Sequence, residues 1–118
     1  MKNSIFLVAL QVFTWGKNYH GQLGVNESEK SCSIPKKVSN LDDTVIKKIV
    51  CGSTHVLAVN EFCELYVWGG NTAGQLGLGD IECRRVPVKN EIVGRYVVVF
   101  SSYFSIIFLI EAIRSLEI

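Results

Sequence analysis

The sequence predicts an all-β protein made of small antiparallel sheets, and three observations predict it. Residues 15–24, WGKNYHGQLG, return as WGGNTAGQLG at residues 68–77, with seven of ten positions identical and a spacing of 53 residues. Short apolar segments rich in β-branched residues alternate with turn chemistry around both copies. Each copy then enters a glycine-dense stretch with no helical apolar spacing. A repeat of this length makes each copy one supersecondary unit, which must stack on a neighbour to bury its apolar face.

The elements follow in order. Residues 5–10, IFLVAL, come after a single early lysine and superficially suggest a signal peptide. The run is short, no small-x-small cleavage site follows, and the chain enters the repeat directly, so a strand is expected. Residues 12–15 supply its hairpin partner, residues 16–24 a glycine loop, and residues 34–38 a strand that contains Pro35. The next copy is better defined. IKKIV at 46–50 reads as a strand ended by the small-residue break Cys51-Gly52-Ser53. HVLAV at 55–59 and LYVW at 65–68 read as a hairpin with its loop near residues 60–64. Gly69, Gly70, Gly74, Gly77 and Gly79 then make an ordered loop, because glycine permits positive φ and close backbone approach. RVPV at 85–88 carries Pro87 and suits an edge strand.

Downstream, residues 97–99 match the IKKIV strand and residues 106–109 match 56–59 at an offset of 50, with Ser102 in place of Gly52 and Ser105 in place of His55. The apolar block 97–110 is interrupted by serines and shorter than the roughly 20 residues of a membrane-spanning helix, so a buried strand pair is expected. Residues 111–118, EAIRSLEI, show a short helical spacing. The division expected is residues 1–45 as a first repeat incomplete at its N-terminal side, 46–95 as a complete second repeat, and 96–118 as the start of a degenerate third with a tail.

Composition narrows the function classes. The 118 residues are 48% hydrophobic, which is globular, and 12 basic against 11 acidic residues leave a net charge of +1. No field of one sign attracts a nucleic acid, and no nucleic-acid or membrane partner is expected. Cys32, Cys51, Cys63 and Cys83 are spaced 19, 12 and 20 apart, so no CxxC pair offers a zinc knuckle. Reduced thiols, and with them a cytoplasmic or nuclear location, are expected. Cys51 and Cys63 sit in strand-like runs and read as small buried hydrophobes.

The segments Cys51-Gly52-Ser53-Thr54-His55-Val56-Leu57-Ala58-Val59 and Tyr66-Val67-Trp68-Gly69-Gly70-Asn71-Thr72-Ala73-Gly74-Gln75-Leu76-Gly77 resemble the regulator of chromosome condensation repeat, with its CGxxHxLxL and VYxWGxNxxGQLG segments. The resemblance covers about residues 5–110 and is poorer in the third copy. It implies a β-propeller of seven blades, each a four-stranded antiparallel sheet. This chain would then hold a partial propeller, about two blades plus the start of a third. Two blades cannot close a ring, so the chain is expected either to be part of a longer protein, the preferred reading, or to pair with other copies. Both ends are hydrophobic, whereas a terminal repeat carries a polar cap.

The repeat signature, Trp15, Gly16, Gly21, Gln22, Gly24, Gly52, His55, Trp68, Gly69, Gly74, Gln75 and Gly77, reads as structural. Trp15 and Trp68 each offer an apolar body that packs between sheets and an indole N–H that seeks one acceptor. Gln22 and Gln75 can hydrogen-bond exposed backbone groups of their loops. His55 shares a strand face with Ser53, but no third residue orients it as a catalytic base, and a histidine bonded to backbone is expected. His20 falls in the variable part of its loop and is expected exposed. The glycine loops lack the Lys-Ser/Thr pair of a phosphate-binding loop. No catalytic residue, cofactor or metal site is expected. The pairs Lys36-Lys37, Lys47-Lys48 and Arg84-Arg85 read as solvated strand ends balanced by Asp42, Asp43 and Glu82.

Residues 26–33 and 80–85 follow the glycine loops and differ between copies. Variation on a fixed scaffold is what partner recognition uses, and also what unconstrained loops look like. The resemblance implies three readings of function. The first is a non-catalytic protein-interaction module in a larger adaptor or regulatory protein, with a ubiquitin-ligase component as one class of partner. The second is part of a guanine-nucleotide exchange factor for a small GTPase. The third is an incomplete gene product without independent activity. The adaptor reading is preferred, since nothing here is a basic chromatin-binding tail.

Overall fold

The computed structural model describes residues 4–8, 11–91, 97–100 and 106–109. Nine strands are described: β1 Ser4–Val8, β2 Gln11–Lys17, β3 Ser31–Lys37, β4 Ile46–Cys51, β5 His55–Asn60, β6 Leu65–Gly69, β7 Arg84–Lys89, β8 Val97–Phe100 and β9 Ile106–Leu109. They form three antiparallel sheets in the orders β1-β2-β3, β4-β5-β6-β7 and β8-β9. The all-β class and the partial propeller of stacked blades are therefore present. The expected helical spacing at 111–118, and Ser102 and Ser105, lie outside the described residues.

The strands form where β-branched and aromatic residues run between turn residues, and the two proline strands, β3 and β7, are sheet edges. Proline cannot donate to a ladder on its free side, which fits an edge. The β4–β5 turn closes on the N–H of Gly52, which donates to the His55 carbonyl at 2.8 Å. In both sheets the ladder slips at the repeated tryptophan, between Thr14 and Gly16 in β2 and between Val67 and Gly69 in β6. Such a bulge bends the strand and re-aims the side chain beside it.

Residues of β5 and β6 alternate between two cores, as the pleat requires. Val56, Ala58 and Trp68 pack with Val12, Val38, Leu41 and Ile46, joining the second sheet to the first. Leu57, Leu65 and Val67 point the other way and pack with Leu76 of the glycine loop. Both faces of β5 and β6 are therefore buried, which explains why HVLAV and LYVW are nearly continuously apolar.

The cysteine reading needs correction. Cys51 ends β4 and is exposed, and Cys63 is buried but lies in the β5–β6 turn, not in a strand. Its φ of 65° places it in the left-handed region. Residues 61–63 form a three-residue hairpin loop, and Cys63 occupies the slot that glycine ordinarily fills. Among the described residues no helix is long and apolar enough to cross a membrane, and no cluster of potential metal ligands occurs.

Candidate protein-interaction surface

The two glycine loops are built by one set of bonds repeated at an offset of 53 residues. The Oδ1 of Asn18 accepts from Leu23 N at 3.1 Å, and Oδ1 of Asn71 accepts from Leu76 N at 3.0 Å. Oε1 of Gln22 accepts from His20 N at 2.8 Å, and Oε1 of Gln75 accepts from Ala73 N at 2.9 Å. The other end of each asparagine anchors the variable segment beyond. Nδ2 of Asn18 donates to the carbonyls of Glu27 and Glu29, and Nδ2 of Asn71 donates to those of Asp80 and Glu82. Both asparagines are buried, so these bonds replace water the amides have lost. Asn18 and Asn71 stand outside the expected signature residues, although their identity in both copies marks them.

Trp68 is fully buried and its indole Nε1 donates to the Gln22 carbonyl of the neighbouring sheet at 2.9 Å. A Cβ on Gly24 would stand 2.7 Å from that nitrogen, and one on Gly21 would stand 2.7 Å from the Arg85 Cα. The first glycine loop is thus the seat of the next blade. Trp15, expected to be enclosed like Trp68, is only half-buried. It alternates along β2 with Val12 and Thr14, which face the second sheet, so it lies on the opposite face. Gly16 and Gly69 carry positive φ just after each tryptophan. Gly74, with φ of 73°, has nothing within 4 Å of its Cβ position among the described residues, and Gly77 has φ of 68°.

His55 is buried and its imidazole lies over Gly52, where no Cβ would fit. Burial lowers its pKa, so the ring is neutral at neutral pH. His20 is half-buried rather than exposed.

The variable segments meet at the blade junction. Nε of Arg85 donates to the Glu27 carbonyl at 2.9 Å, a second donation comes from Nη2, and Asn26 N returns a bond to the Arg85 carbonyl at 3.3 Å. Arg85 is therefore an inter-blade clamp and not simply a solvated strand end. Glu27 also pairs with Lys36 at 2.5 Å, and Asp80 with Arg84 at 2.8 Å. The Arg84 side chain, then the Glu82 N–H, holds the Asp80 carboxyl below its usual range. Ser28, Glu29, Lys30, Ile81 and Glu82 remain exposed. The surface is a pair of differently composed loops held in fixed mutual position.

Comparison with known proteins agrees with this architecture. The family model for the regulator of chromosome condensation (RCC1) repeat matches residues 11–59 and 64–105. The human probable E3 ubiquitin-protein ligase HERC3 is 37% identical over 92 residues, 78% of this chain and 9% of that protein. The ultraviolet-B receptor UVR8 of Arabidopsis thaliana is 42% identical over 79 residues, 67% of this chain and 18% of that protein. The crystal structure of yeast RCC1 (Prp20) bound to Kap60 superposes with a TM-score of 0.75 over 92% of this chain and 28% of that one, at 19% identity, a likeness of fold. The chain spans less than a fifth of the length of these two relatives.

Proposed function

This chain belongs to the regulator of chromosome condensation (RCC1) repeat family, and from that premise we propose that it is a non-catalytic protein-interaction module within a larger adaptor or regulatory protein. The observation that carries the proposal is the junction of residues 26–33 and 80–85, where the clamp from Arg85 to Glu27 locks two unlike loops together on a repeated scaffold. Rigid display of variable loops lowers the ordering cost of binding a protein surface. The relatives support this coarsely, since the matched region of HERC3 is a small share of a probable ligase, and the yeast neighbour was solved in a protein complex.

Proximity labelling with the full-length protein tests the reading. A variant with Glu29→Lys, Ile81→Asp and Glu82→Lys changes only exposed side chains and is expected to lose partners reproducibly captured by the parent while melting identically. An unchanged partner set would remove these loops from recognition. The exchange-factor reading predicts accelerated release of labelled GDP from a small GTPase, which the adaptor reading does not. The third reading, an incomplete product, predicts that the 118-residue chain lacks a cooperative melt.

A further inference from the structure

A second surface lies at the β5–β6 hairpin, where β6 begins, and no motif of the repeat signature contributes to it. The tip residue Phe62 is 66% exposed. Its exposure is built in by a rigid turn, since Asn60 Oδ1 accepts from Phe62 N at 3.0 Å and from Glu64 N at 2.8 Å. The Asn60 amide also donates to Thr44 Oγ1 at 2.7 Å and to Glu64 Oε1 at 2.8 Å, and Glu61 N donates to the Val45 carbonyl at 2.9 Å. These bonds fix the backbone of the turn and keep Phe62 at its tip.

Beside the ring is a cavity of about 270 Å³ between the hairpin and the end of β7, with Cys63 and Leu65 at its buried side and Glu64, Lys89 and Glu91 at its mouth. That volume is at or below the small end of ligand pockets, about 300–1,000 Å³, so it suits one side chain and not a cofactor. Among the described residues its charge is unbalanced. Lys89 is shared between Glu64 at 2.5 Å and Glu91 at 3.9 Å, and Glu61 adds a third carboxylate at the tip. The exposed Lys47 and Lys48 are on β4, the opposite edge of the sheet. The negative potential reaches Tyr66 of β6, whose phenol is held above its usual range by burial first and then by Glu64. An exposed aromatic face beside surplus carboxylates is the chemistry that receives a guanidinium or ammonium group.

We propose that this hairpin end docks a basic segment of a partner protein, which lays an arginine or lysine side chain across Phe62 with its charged head at the exposed Glu91, which Lys89 meets only at 3.9 Å while it holds Glu64 at 2.5 Å. The proposal extends the interaction reading to a surface separate from the variable loops, so either can fail without the other. The test is titration of the ¹⁵N-labelled 118-residue chain with a GSRAKRSG peptide and with its GSEADESG counterpart. The basic peptide is expected to shift amides of residues 61–65 and 89–91, and to bind more weakly as salt rises. Phe62→Ala is expected to weaken it about two- to fivefold, and Glu91→Lys about tenfold. Glu29→Lys on the variable loop leaves it unchanged. Shifts spread over the whole surface, equal binding of the acidic peptide, or affinity indifferent to both Phe62→Ala and Glu91→Lys would each overturn the proposal.

Discussion

The glycines of the signature are required for different reasons at the same repeat position. Gly21 and Gly74 correspond, and both have positive φ, but among the described residues only Gly21 is pressed against the next sheet. Gly74→Ala should cost about 1–2 kcal/mol, the strain of a left-handed alanine. Gly24→Ala adds collision with Trp68 and should cost about 2–5 kcal/mol. Urea midpoints of the two variants at one temperature check the order. A second expectation concerns His55. Its folded pKa is lowered, so the unfolded chain takes up a proton that the folded chain excludes, and the contribution to stability is complete above about pH 6.5 and shrinks as pH falls below it. Urea melts between pH 5 and 8 should show this slope, and His55→Leu should flatten it. The need for glycine was legible in the two copies, but which glycines meet a neighbour was not, because Gly21 and Arg85 are distant in sequence.

At the scale of the element, each loop is a short peptide wound around one buried asparagine. Asn71→Ala leaves the Leu76 N–H and the Asp80 and Glu82 carbonyls to find new partners and should cost about 2–4 kcal/mol. Protection of amides 72–83 in hydrogen exchange would fall with it. Trp68→Phe keeps most of the ring but orphans the Gln22 carbonyl, and should cost about 1–3 kcal/mol. Strands were legible because alternation and turn residues are local signals, and β4 to β7 lie within a residue of the segments read. The turn position of Cys63 was legible in the loop expected near residues 60–64, but the partial exposure of Trp15 and the Arg85 clamp were not. Each of those two depends on a sheet or loop that meets the residue only after folding.

For the whole molecule, sheets stacked face to face make stability a sum of blade and junction terms. The central strands β5 and β6 have both faces covered, so their amides should exchange slowest, ahead of edges β4 and β7. Because Trp68 is seated in the loop of the first sheet, Trp68→Ala should also lower protection at residues 20–24, around Gln22, which is 46 positions from Trp68. Loss confined to residues 65–69 would show that the blades fold independently.

The family windows, residues 11–59 and 64–105, do not coincide with the sheets. The first begins at β2 and ends with β5, taking the last two strands of one sheet and the first two of the next, and the gap between windows falls in the Phe62 turn. The matched repeat and the folded sheet are thus half a step out of phase, like bricks in running bond. A duplication at the window boundary would deliver two half-sheets, each completed only by its neighbours, so such an array could lengthen by whole units without ever adding a free-standing piece.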